Sequence, residues 1–275
     1  MKKIFLPINI LICALLILAL GASYSWNGFD ITLWGESFRN FIFIFFSGWF
    51  ITFILVRLGL AAESRKENRI ITSLILFLLF DAVAPWWIFI LLGAVTDLME
   101  RLLRVPGGPL FNPAALGALF FSFFGYFPSW WGTNFSPRYS LMEGALSIAT
   151  FVTIPFTFYV AYKYKKFWIS LSALISFSIV YLLLFQKSPL FILLDGTLLF
   201  FLLVMAIEPK TTPIVTKDQL TFGLLIGVLI PLGMYFNWLE AYTLALLIGN
   251  LYTRRNFFFS LFVSSPPSSV SSPAA

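Results

Sequence analysis

Apolar runs follow one another from residue 5 to residue 252, separated by short polar breaks. Measured against the roughly 20 residues needed to cross a bilayer, the pattern predicts ten spans. They lie near 5–23, 40–56, 70–82, 86–100, 112–127, 144–162, 167–185, 190–207, 219–236 and 239–252. The expected fold class is all-α: a polytopic integral membrane protein with a membrane domain over 1–252, in halves 1–127 and 144–252. Residues 253–275 form a tail, Ser/Pro-rich over 264–275, whose composition cannot pack a core and predicts disorder. One ambiguity touches topology. Asp81 and Pro85 precede Trp86-Trp87, so 70–100 could also read as one kinked helix, which would flip everything after it.

Charge separates the two readings, because Lys and Arg accumulate on the cytoplasmic side. With ten spans and the N-terminus inside, 15 of the 18 basic residues fall on inner segments, and Arg39, Arg138 and Lys187 fall outside. Merging 70–100 into one span largely erases that bias. Ten spans are therefore expected, with both termini cytoplasmic and the chain multi-pass in the cell inner membrane. The Trp- and Tyr-rich segments 23–37 and 126–140 are expected as outer loops forming interfacial belts. Residues 1–23 also resemble a signal peptide, but first spans of polytopic proteins look the same.

Two breaks stand out. RVPGGPLFNPAALG (104–117) sets a Gly/Pro-dense segment directly before an apolar run, and EPKTTPIVT (208–216) interrupts the C-terminal half. Irregular backbone at membrane depth is tolerated only where protein buries it or it lines a cavity. Paired breaks of this kind point to a binding site.

Composition narrows the chemistry. Of 275 residues, 60% are hydrophobic and 11% charged, with a mean hydropathy of +0.92. The net charge of +6 is carried by basic residues scattered among apolar runs, which argues for topology and against nucleic acid. Cys13 is the lone cysteine and there is no His, so iron–sulfur ligation, His-ligated haem and His-based zinc are excluded. No metal site is predicted. No Walker A loop, GxGxxG or HExxH is present. Any redox cofactor would have to be organic.

PWWIFILLGAVTDLMERLLRVPGGPLFNPAALG (85–117) resembles the signature of a family of membrane subunits shared by the Na+-translocating NADH:quinone oxidoreductase and the Rnf electron transport complex. Residues 189–229 resemble the family's segment with an ATDPVT-type sequence followed by a FGxLIG span, and LEAYTLALLIGN (239–250) resembles its C-terminal EGxxFAxLLMN. The resemblance covers roughly residues 70–252. It implies about ten transmembrane helices in two five-helix inverted repeats, a flavin, and a place among other subunits of an ion-translocating electron transport complex in the membrane lipid. A transporter or channel-like protein that keeps the fold without the covalent flavin, or a membrane anchor for a flavoprotein reductase, stays open beside it. Equivalent positions in inverted halves should lie on opposite faces, yet the predicted topology puts both breaks on the inner one.

The family's covalent flavin hangs on the threonine of an SGAT-type sequence. The nearest match is Ser147-Ile148-Ala149-Thr150, with Ile in place of Gly and Glu143 where Asp is usual. A β-branched residue blocks close approach there. FMN or riboflavin is therefore expected without a covalent bond, with Thr150 as attachment point the competing reading. Asn112-Pro113 reads as a cap and first helical residue, or as a helix start facing a flavin phosphate together with Gly107 and Gly108. Glu208 ends the eighth span, and Thr211 and Thr212 are candidates to cap the next turn. Asp195 lies mid-span, where an ionisable group is expensive and marks an ion path. Asp97 and Glu100 are expected to pair with Arg101 or Arg104.

Overall fold

The structure is a computed structural model that describes residues 7–27, 30–60, 66–80, 84–106, 108–133, 145–193 and 196–255. Its elements are helical apart from one two-stranded ribbon, as expected of an all-α polytopic membrane protein. The first half holds α1 (Pro7–Asn27), α2 (Ile31–Arg57), α3 (Lys66–Leu79), α4 (Trp86–Leu102) and α5 (Pro113–Ser122). The second holds α6 (Ala145–Lys163), α7 (Phe167–Phe185), α8 (Leu190–Leu193), α9 (Gly196–Phe200) running into a π-helical turn (Phe201–Met205), α10 (Thr216–Tyr235) and α11 (Ala241–Thr253). These segments follow the ten predicted runs in order, and α3 and α4 are separate helices. Among the described residues, four helices are long and apolar enough to cross a membrane by length and composition: α1, α2, α7 and α10. Others are short, with 14 residues in α3, 10 in α5 and 13 in α11.

The helices pack in corresponding pairs. α2 lies along α4 as α7 lies along α10; α4 meets α5 as α10 meets α11; and the counterparts α1 and α6, and α5 and α11, pack against each other. Glycine permits the tightest of these contacts. A Cβ on Gly93 would collide with the backbone of Ile44 across α2–α4, and one on Gly223 with Ile169 and Ser172 across α7–α10. Such small-residue seams let helix backbones approach where lipid supplies no hydrophobic drive.

Two expectations about the loops are revised. Most of 23–37 is helix, because α1 extends to Asn27 and Asp30 caps α2 by accepting from Thr32 N at 2.8 Å and Leu33 N at 3.4 Å. The Trp-rich segment after α5 is also more than a belt. Trp130 N and Gly132 N donate to Leu79 O (2.9 Å) and Leu78 O (3.1 Å), and Trp131 Nε1 donates to Phe77 O at 2.8 Å. The strap 129–133 thus satisfies the last carbonyls of α3, which a helix end leaves free. Helix α3 is buried from Ser73 to Phe80 and forms the centre of its half.

The two breaks meet on one face, and the pairing of helices explains why. Break 104–112 precedes the fifth helix of the first half, whereas 208–215 follows the third helix of the second. Their positions in the repeat differ; the counterparts are 236–240 and 80–85. No opposition of faces is required between them.

Candidate functional site

The first break forms a tight antiparallel ribbon, Arg104–Val105 against Gly108–Pro109, with Arg104 opposite Pro109. Gly108 sits at φ +140, in the backbone region that favours glycine. The ribbon delivers Asn112 to the start of α5. Its Oδ1 accepts from Ala115 N at 3.0 Å and its carbonyl accepts from Leu116 N at 3.0 Å. Pro113 has no N–H, so the Ala114 N–H is the first-turn donor left over. The rest of Asn112 reaches across the molecule. Its N–H donates to Asn250 Oδ1 at 2.8 Å, its Nδ2 to Met205 O at 3.4 Å, and Asn250 Nδ2 donates to Thr211 O at 3.2 Å. Both asparagines are buried.

The second break begins with the π-helical turn. Ala206 N bonds Phe201 O at 2.8 Å, so the Leu202 carbonyl is bypassed and Ser170 Oγ of α7 donates to it at 2.7 Å. Turns of this kind recur at functional sites. After it, Thr211 Oγ1 donates to the Glu208 carboxylate at 3.0 Å and Thr212 Oγ1 to the Glu208 carbonyl at 2.6 Å. The threonines therefore close the segment behind them and do not cap α10, whose N-cap Val215 makes no side-chain bond. Lys166, buried in the α6–α7 turn, donates Nζ to the carbonyls of Thr212 (3.0 Å) and Pro213, and burial lowers its pKa to about 8. Arg254 Nη2 donates to Lys210 O at 3.0 Å and Pro109 O at 3.5 Å, tying the two breaks together.

Between them lies a cavity of about 430 Å³, bounded by α1, α3, α5, α6 and the Glu208 segment. Its walls are apolar, including Leu11, Ile71, Ile75, Val160 and Val204, and its polar groups are Asn68, Thr72, Arg104, Asn112, Tyr164, Glu208 and Lys210. Burial pushes the half-buried Glu208 up to about 7 against the pull of the Lys210 charge, with Glu100 adding to the rise and the Thr211 hydroxyl opposing it. Lys210 itself pairs with Glu100 at 3.4 Å, and Arg101 with Asp97 at 2.9 Å. The expected Arg101–Asp97 pair is present; Glu100 reaches Lys210 on the other break instead of Arg104. Such a site can seat a flat, largely apolar molecule, meet an anionic group with Arg104, Lys210 and the Ala114 N–H, and hold a proton on Glu208 near neutrality.

Asn112, Pro113 and Glu208 line this cavity, with Thr211 and Thr212 bonded to Glu208 from behind. Gly108 lies aside, nearest Arg254. Gly107 and Asp195 lie outside the described residues. The backbone of Thr150 is helical, within α6, and its side chain is outside the described residues. Sequence reasoning missed Asn250, Lys166 and Ser170. Asn250 carried a readable signal, an amide inside an apolar span.

The model of the NQR2, RnfD, RnfE family matches residues 140–254. No curated protein matches the chain. The matched stretch runs from before α6 to the end of α11 and contains the Glu208 segment, Lys166, Ser170 and Asn250. Over residues 140–254, which run from before α6 to the end of α11, the chain is similar to the NQR2, RnfD, RnfE family.

Proposed function

We propose that the chain is the membrane subunit of a flavin-dependent, ion-translocating electron transport complex of the Na+-translocating NADH:quinone oxidoreductase or Rnf type. It sits in the inner membrane with both termini cytoplasmic, among the other subunits of the complex. The observation that carries the reading is the cavity where both breaks converge, because its volume, apolar walls and cationic rim fit a flavin. When bound, FMN or riboflavin would supply a centre that takes up and passes on electrons. In the chain itself, Arg104 and Lys210 draw in an anionic tail. Asn112 and Asn250 hold the ends of α5, α11 and the π-helical turn in register. Glu208 gains or loses a proton at its carboxylate close to neutral pH, beside the seat of the flavin. Ile148 and the helical course of α6 through Thr150 support binding without a covalent bond.

The test is the chain purified after expression with the family's flavin transferase. Flavin absorbance in the folded protein, with the denatured chain at its bare mass, is the expected result. A mass increase of one FMN on the denatured chain, removed by Thr150→Ala, would restore covalent attachment. A colourless chain that takes up no added FMN or riboflavin would favour the second reading, a transporter-like member or reductase anchor without flavin.

A further inference from the structure

On the face that carries both breaks, a second hollow of about 320 Å³ opens between the Glu208 segment and the ends of α10 and α11. Lys210, Thr212, Asp218, Arg254 and Arg255 line it. Its charges do not cancel. Lys210 is paired with Glu100 at 3.4 Å and Arg255 with Asp218 at 3.2 Å, whereas Arg254 pairs with no carboxylate among the described residues. Arg254 spends Nη2 on two carbonyls, and its buried Nε has no partner. The hollow also meets the first turn of α10 at Asp218, whose carboxylate is taken up by Arg255. A guanidinium without a carboxylate, in a hollow whose lining holds three cations and one anion, calls for an anion.

The surroundings say what kind. The hollow lies at the start of α10 and the end of α11, where the spans predicted from the sequence put the edge of the apolar layer. Beside it Ile214 and Val215 are 82% and 62% exposed, and Leu220, Leu224 and Leu251 continue an exposed apolar surface along the two helices. A cationic hollow above an apolar track matches an amphiphile. We infer that this hollow is a binding site for an anionic phospholipid, its phosphate held by Arg254 and its acyl chains laid along α10 and α11.

The full chain, purified in a neutral maltoside detergent, is titrated separately with phosphatidylglycerol, phosphatidylcholine and inorganic phosphate, reading lipid retention by native mass spectrometry and the melting temperature. Phosphatidylglycerol should be retained and raise the melting temperature, and the other two should do neither. Arg254→Gln should weaken phosphatidylglycerol binding about fivefold, while Arg57→Gln, at the end of α2, should leave it unchanged. Asp218→Asn, which frees Arg255 from its carboxylate, should strengthen it. Equal retention of both lipids, an equal response to inorganic phosphate, or full binding by Arg254→Gln would overturn the assignment. Should Arg254→Gln fail to fold, the absence of any gain in Asp218→Asn would overturn it as well.

Discussion

At the residue scale the site depends on amides and hydroxyls that satisfy backbone groups the breaks set free. Asn112 does this twice, capping α5 through Ala115 and reaching the Met205 carbonyl at the end of the π-helical turn. Asn112→Ala should cost about 1 kcal/mol through the cap alone, read as a lower midpoint of denaturant unfolding in detergent; an unchanged midpoint would show the cap to be dispensable. Glu208 makes a prediction about pH. Its folded pKa, about 7, is raised above its ordinary value of 4.5, so between those values the folded state holds a proton that the unfolded state has lost. The stability linked to Glu208 is therefore complete below about pH 4.5 and falls as pH rises toward 7. Glu208→Gln should flatten that part of the stability profile, and an unaltered slope would place its origin elsewhere. Asn112-Pro113 was legible in the sequence because a cap is local. Lys166 was not, since its partners lie 46 and 47 residues away and the Lys165-Lys166 pair reads equally well as a topology signal.

At the scale of elements, close approach of helices decides stability. A methyl on Gly223 would press on the Ile169 carbonyl, which cannot rotate away, so Gly223→Ala should destabilise by about 1–3 kcal/mol. Gly35, within α2, has open space around its Cβ position, and Gly35→Ala should stabilise by about 0.5–1 kcal/mol through helix propensity. Thermal melts of the two variants in the same detergent should move in opposite directions. The order of helices could be read from apolar runs because each run is a continuous local signal. The π-helical turn at 201–205 could not, since it depends on Ser170 of another helix bonding the carbonyl that the turn bypasses. Aromatic composition was ambiguous for a similar reason. Trp130 and Trp131 suit a lipid interface, and only their bonds to α3 show that they close a helix end.

At the scale of the whole molecule, the basic residues predict sidedness. Reporter fusions after Lys166 and after Arg255 should both report a cytoplasmic position, and an external reading at either would overturn the ten-span topology. Five apolar runs could be counted on each side of 127–144, but which breaks correspond could not be read, because correspondence is set by place in the helix order and Gly/Pro content marks only irregular backbone. The cavity and the strap at 129–133 lie at opposite ends of α3: Asn68, Ile71, Thr72 and Ile75 line the cavity, while Phe77, Leu78 and Leu79 receive the strap. A protein that helps charge a membrane must also be an insulator, since any standing file of water through it would discharge the gradient as fast as it was built. Under the proposed function, the strap is expected to serve as that insulation. Vesicles containing Trp131→Phe, which loses the bond to Phe77 but keeps an aromatic ring, should let an imposed pH gradient decay faster than vesicles with the unmodified chain, and equal decay would move the seal to the buried phenylalanines and leucines beneath it.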